Sequence, residues 1–120
     1  MTVHKVLCVD DAASDLTMIQ KVISSANLNV VSATSGKDAI RRAKTEKPDL
    51  IFLDILMPDM DGFAVMRELR KDPETRDIPV VFVSSKNQKS DQMWAKMLGG
   101  KGFLSKPVNP DEVLGEIKKF

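Results

Sequence analysis

Two apolar runs in this 120-residue chain break off abruptly at aspartate: Val3 to Val9 at Asp10-Asp11, and Leu50 to Leu53 at Asp54. Two further runs end on other polar groups, Val80 to Val83 on Ser84-Ser85 and Phe103-Leu104 on Ser105-Lys106-Pro107. If these runs are strands of one sheet, with the first and third side by side, three carboxylates meet at one end of it. Close like charges resist ionisation unless a cation neutralises them. A hard, oxygen-seeking divalent ion answers that need, Mg²⁺ first and Mn²⁺ as a substitute, held by one or two carboxylates and water. A lysine and a hydroxyl opposite the acids suit an anionic ligand, most obviously a phosphoryl group. Carboxylate nucleophile, charge-screening metal and oxygen-holding lysine together form a workable phosphoryl-transfer site.

Each of these residues alone has a plainer reading. Asp54 would be a turn or capping aspartate. Asp10-Asp11 would cap the following helix, where the dipole favours acids, and Lys106 would be a solvated surface lysine. Their shared position, each at the end of an apolar run, outweighs those readings. His4 lies at the start of the first run, away from the constellation, and reads as a surface or edge histidine. Cys8 is the one cysteine; it can form no internal disulfide and sits within an apolar run, as a buried, inert thiol would.

The elements that must position these residues alternate along the chain. Val3 to Val9 predicts a strand, and Leu16, Ile19, Val22, Ile23 and Ala26 then recur at helical spacing. Val30-Val31 with Ala33 is a short second strand. Ser35 reads as the N-cap of a helix with Asp38 at its third position and Ala39, Ile40 and Ala43 on its inner face. Leu50 to Leu53 is apolar at every residue, as a strand buried on both faces should be. Met57-Pro58 stops it, since proline has no N–H to give a ladder. Asp61-Gly62 is a turn or the opening of a third helix, marked by Phe63, Met66 and Leu69.

Beyond Val80 to Val83, a polar loop from Lys86 to Ser90 precedes a helix carrying Met93, Trp94, Met97 and Leu98, which Gly99-Gly100 stops. Core is the expectation for most of that stripe, because one side of the helix must pack on the sheet. Four large apolar residues are wider than one stripe needs, which leaves Trp94 or Met93 partly exposed and suited to partner binding. Asn109-Pro110-Asp111-Glu112 supplies N-cap, first-position proline and third-position glutamate for a last helix, with Val113, Leu114, Ile117 and Phe120 facing inward.

Strand and helix alternate five times, at crossover lengths that suit parallel pairing, and right-handed crossovers put helices on both faces of the sheet. A doubly wound α/β domain is expected, one unit over residues 1–120 with no output domain. In such sheets ligands bind beyond the carboxyl ends of the strands, where the strand order reverses. That is where Asp10, Asp11, Asp54, Ser84, Ser85 and Lys106 fall. A net charge of +1 gives no bulk electrostatic case for binding nucleic acid or a membrane. With no signal peptide, spanning apolar run or lipidation motif, a cytoplasmic protein is expected.

From Val3 to Phe120 the chain resembles a response-regulator receiver domain, more narrowly the stand-alone CheY-like kind. The markers are Asp10-Asp11, Asp54 with the following Met57-Pro58 and Asp61-Gly62, the Ser84 hydroxyl, and Phe103 ahead of Lys106-Pro107. The resemblance implies a flavodoxin-like (βα)5 fold, a five-stranded parallel sheet in the order 2-1-3-4-5. It implies that Asp54 is the phosphoacceptor for a histidine kinase's phosphohistidine. Mg²⁺ would be bound by Asp54, by Asp11 directly, by Asp10 mostly through water, and by the backbone carbonyl of Leu56. Ser84 and Lys106 would engage the phosphoryl group, Phe103 would move inward with the hydroxyl, and the Lys106-Pro107 bond would be cis. Met93, Trp94, Met97 and Phe103 would form the face that meets a downstream protein.

There are departures from the family pattern. Ser84 replaces the commoner threonine, keeping the hydroxyl but loosening its rotamer. Ser85 and Gly100 stand where alanine is usual, and Gly100-Lys101-Gly102 predicts a flexible last loop. Phe103 lacks a hydroxyl for any switch contact. Leu56 and Lys86 flank the site where relatives often carry polar or acidic groups, and apolar Leu56 is expected to shield an acyl phosphate from water. The expected function is a non-enzymatic phosphorylation switch that signals by binding a protein, with chemotaxis or motility control as the family-level setting. A monomer is expected, with a phosphorylation-dependent dimer as the alternative. Rival readings are a phosphate sink for a shared kinase and a small Mg²⁺-dependent aspartyl phosphatase. The phosphatase would need a second acid two residues beyond its nucleophile, whereas the first-strand acids here are adjacent. A flavodoxin-type binding module would need a glycine-bearing phosphate loop where Asp10-Asp11-Ala12-Ala13 stands.

Overall fold

The structure is a computed structural model describing residues 2–85 and 88–120. Lys86, and with it the expectation about its flanking role, lies outside the described residues. Strands β1 (Lys5–Val9), β2 (Asn29–Ala33), β3 (Leu50–Asp54), β4 (Val80–Ser84) and β5 (Gly102–Ser105) alternate with helices α1 (Ala13–Ser25), α2 (Gly36–Glu46), α3 (Gly62–Lys71), α4 (Lys89–Met97) and α5 (Pro110–Ile117). The strands pair in parallel in the order β2-β1-β3-β4-β5, the flavodoxin-like order expected. β3 and β4 are buried along their whole length, which is why both read as unbroken apolar runs.

Side chains alternate across a strand with a period of two, and the chain exploits this to build two cores. Val6, Cys8, Leu50, Phe52, Val81, Val83 and Leu104 face α1 and α5, packing on Leu16, Ile19, Ile23 and Val113. Leu7, Val9, Ile51, Leu53, Val80 and Phe82 face the other three helices, packing on Ala39 and Ala43 of α2, Val65, Met66 and Leu69 of α3, and Ala95 of α4. α2 and α5 are capped by Ser35 and Asn109 as the sequence indicates, and Asp61, expected as a turn or helix opening, caps α3. Ser35 Oγ accepts the Asp38 N–H at 3.1 Å, and Asp61 Oδ1 accepts the Ala64 N–H at 2.8 Å. Asn109 and Glu112 cap reciprocally, satisfying donors that the first turn would otherwise leave orphaned.

Four expectations are corrected. β1 begins at Lys5 rather than Val3, although Val3 is buried. Ala26 is not part of the α1 stripe: it is the exposed C-cap, just ahead of the positive-φ turn at Asn27. Most of the α4 stripe is not core: the buried residues are Asp91 and Ala95, and Met97 is 74% exposed, while Met93 and Trp94, at 64% and 55%, are exposed as expected. The Phe82 ring belongs to the same core as Ala95 and stands edge-on to Phe63 with centroids 5.4 Å apart. The same ring explains Gly100, where a Cβ would lie 2.8 Å from both Phe82 and the Ala95 carbonyl. Gly100 is therefore a point of close packing rather than slack in a flexible loop. Among the described residues no helix is long and apolar enough to cross a membrane.

Candidate functional site

The pleat that builds the two cores also aims the site. Asp10 follows Cys8, Asp54 follows Phe52, and Lys106 follows Leu104 at two-residue steps, so all three extend the face covered by α1 and α5. Val9 and Leu53 are register partners, which sets Asp10 and Asp54 side by side on neighbouring strands. The Asp10 N–H donates to the Ala33 carbonyl at 3.1 Å, and its carboxylate accepts the Ala12 N–H at 2.9 Å. The Lys106 N–H donates to the Ser84 carbonyl at 2.9 Å, anchoring the lysine at the end of β5. From there its long stem carries Nζ to 2.9 Å from Asp10 Oδ2, 3.2 Å from Asp15 Oδ2 and 3.6 Å from Asp54 Oδ2. The Lys106-Pro107 bond is cis.

Asp10, Asp11 and Asp54 each offer an oxygen, and these lie within 4.8 Å of one another. Asp10 and Asp54 are buried, whereas Asp11 is exposed. Burial, reinforced by the Asp10 charge, pushes the Asp54 carboxyl up to about 6, against the pull of Lys106 and of the Leu56 N–H. Burial opposes the charge on Lys106, but contact with Asp10 and the nearby Asp54 carboxylate hold its ammonium above the ordinary value. Asp10 Oδ2 is buried with no hydrogen-bond donor aligned on it, the lysine meeting it only as an ion pair. An ionised carboxylate can only accept. An under-satisfied carboxylate oxygen beside two more carboxylates is a donor set that fits a hard divalent cation such as Mg²⁺.

The loop after β3 is tied down from two sides. A Cβ on Gly62 would lie 2.5 Å from the Asp54 carbonyl oxygen and 2.9 Å from Ile55 Cα, so only glycine lets the start of α3 close on the end of β3. Asp59 accepts the Gly36 and Lys37 N–H groups at 2.9 and 3.0 Å, fastening the loop to the start of α2. Leu56 touches Asp54 through its N–H, and its side chain is exposed at the rim.

The structure divides the expected residues rather than gathering them all. Ser84 is buried at the end of β4 but follows the pleat of Val80 and Phe82, on the α2/α3/α4 face. Phe103 shares that face, in register with Phe82. It is half-buried and lines a groove of about 390 Å³ between α4 and β5, with Met93, Lys89, Lys96 and Lys101. Trp94 and Met97 stand outside the groove on the exposed side of α4. Cys8 is buried as expected, and burial with the Asp10 charge pushes its thiol up to about 12. His4 is exposed, its N–H donating to Asp49.

Sequence reasoning missed Asp15 and Asp59. Asp15 is a first-turn acid, which the helix dipole already explains, and nothing local signals a partner 91 residues away. Asp59 reads as one more polar loop residue after Pro58.

The family described as Response regulator receiver domain matches residues 6–118. PilH of Pseudomonas aeruginosa is 36% identical over 113 residues, which cover 94% of this chain and 93% of PilH. The alkaline phosphatase synthesis transcriptional regulatory protein PhoP of Bacillus subtilis is 34% identical over 95% of this chain, which spans only 47% of that protein. Chemotaxis protein CheY4 of Vibrio cholerae has the same fold, with a TM-score of 0.91 at 28% identity and 98% of each chain covered. With that match running along nearly its whole length, this chain belongs to the response regulator receiver family.

Proposed function

We propose that this receiver domain is a phosphorylation switch whose acceptor is Asp54. The observation that carries the reading is the convergence of Asp10, Asp11 and Asp54 under one lysine at the carboxyl end of the sheet. The donor would be a histidine kinase's phosphohistidine. A carboxylate oxygen of Asp54 attacks phosphorus, the P–N bond breaks, and its electron pair leaves with the imidazole nitrogen. Mg²⁺, when bound by Asp10, Asp11, Asp54 and the Leu56 carbonyl, would screen the charge that builds on the phosphoryl oxygens. Lys106 turns its ammonium from the carboxylates to a phosphoryl oxygen, and Leu56 shields the acyl phosphate from water.

The new dianion biases a minor conformation in which the Ser84 hydroxyl turns toward it and Phe103 follows. A partner protein reads that change at Met93, Trp94, Met97 and Phe103. Large exposed apolar groups on α4 favour such signalling over a mere phosphate sink. By analogy with the chemotaxis protein among its structural relatives, the output is control of motility.

Incubation with acetyl phosphate and Mg²⁺, followed by intact-mass measurement, tests the chemistry. The expected result is a metal-dependent phosphoryl adduct on the wild type and none on Asp54→Asn. An adduct that survives that substitution would overturn the assignment.

A further inference from the structure

Resting on that reading, we propose that Asp15 is a positioning residue that holds Lys106 back from the phosphoryl site in the unphosphorylated protein. Lys106 has one ammonium and three claimants. Asp10 and Asp54 are strand-end residues whose places the sheet dictates, and both are buried. Asp15 is different. It projects from the first turn of α1, 3.2 Å from Nζ, and its side chain is 45% exposed while that of Lys106 is 17% exposed. Phosphoryl transfer does not require a carboxylate there, since Asp15 lies outside the group of acids that converge on one another.

Its effect on the lysine has a definite sign. An ammonium held between Asp10 and Asp15 must give up part of that pairing to meet an incoming phosphoryl oxygen. A half-exposed pair is weak enough to break, so Asp15 acts as a releasable latch and not as a lock. A phosphoryl dianion on Asp54 outcompetes a single exposed carboxylate. Asp15 therefore raises the threshold for phosphorylation without blocking it.

The test is calorimetric titration of beryllofluoride, a phosphoryl mimic, in the presence of Mg²⁺. Removing an exposed ion pair is expected to tighten half-saturation in Asp15→Asn by about two- to fivefold. Asp15→Glu should restore the wild-type value. Asp111→Asn, which removes a surface acid from α5, should leave it unchanged. In the metal-free protein, solvent exchange of the Lys106 ammonium protons, followed by ¹⁵N NMR, should be faster in Asp15→Asn. Unchanged or weaker binding in Asp15→Asn, with wild type binding normally, would overturn the latch and leave the switch intact. Equal tightening in Asp111→Asn would reduce the effect to net charge and overturn it too. If the wild type fails to bind at all, the switch reading itself falls and takes the latch with it.

Discussion

The two faces of the sheet are made from the same strands and differ in what stands where those strands end. On the face covered by α1 and α5 the apolar columns run out into charge, Cys8 into Asp10, Phe52 into Asp54 and Leu104 into Lys106. On the face covered by α2, α3 and α4 they run out into a hydroxyl and a ring, Phe82 into Ser84 with Phe103 alongside. A single residue step decides which face a group joins, because the pleat has a period of two. The carboxylate–lysine cluster and the Ser84–Phe103 pair thus sit on opposite sides of one sheet, a strand's width apart. The charged face concentrates electrostatic strain, and the other is packed around rings and leaves Trp94 and Met97 in solvent.

The contrast breaks most sharply at Lys106. Lys106→Gln should slow acetyl phosphate labelling by about 10²-fold, the usual effect of removing one charge-stabilising donor. A time course of adduct mass measures it, and a drop of less than about threefold would move the phosphoryl-holding role elsewhere.

Strain on the charged face predicts that removing Asp54 stabilises the metal-free protein. Its folded pKa of about 6 lies above the ordinary 3.8, so the folded state holds the proton more tightly than the unfolded one. Stability then falls as pH rises from 3.8 to about 6 and stays reduced above that. Asp54→Asn in EDTA at pH 7.5 should be the more stable by up to about 3 kcal/mol in urea unfolding. The gap should close by about pH 4. No gap at pH 7.5 would mean that Lys106 fully compensates the buried acid.

On the opposite face the expected effects are smaller and separate chemistry from readout. Ser84→Ala should still be labelled, with less than about a tenfold change, since one hydrogen bond is worth about 0.5–1.5 kcal/mol. Any fluorescence change of Trp94, the one tryptophan, on beryllofluoride binding should vanish in that variant. A persistent change would show that α4 hears the site by another route. Smallest of all, Trp94→Ala should shift stability by no more than about 0.5 kcal/mol and leave labelling intact. A large loss of stability would mean that the ring is core after all.

Much of this was legible in the chain itself, for local reasons. Four-residue apolar runs rich in β-branched and aromatic residues and bounded by breakers suit strands buried on both faces, so β3 and β4 were plain. Ser35 and Asn109 fall where helix starts need acceptors, and both cap. An aspartate or lysine closing such a run must emerge at the sheet's end, so Asp10, Asp54 and Lys106 could be named before their distances were known. What escaped depends on contacts that have no local signature. Most of the α4 stripe read as core because its periodicity is apolar, yet the residues α4 buries are Asp91 and Ala95. The Asp15–Lys106 pair joins residues 91 apart, and Asp59 binds the start of a helix that precedes it in the chain. The sequence by itself determined the elements, their ends and the chemical groups at those ends, because period, caps and breakers act within a few residues. Only the tertiary structure decided which of those groups share one lysine and which apolar side chains stay in water, because strand order and core volume are properties of the whole packed chain.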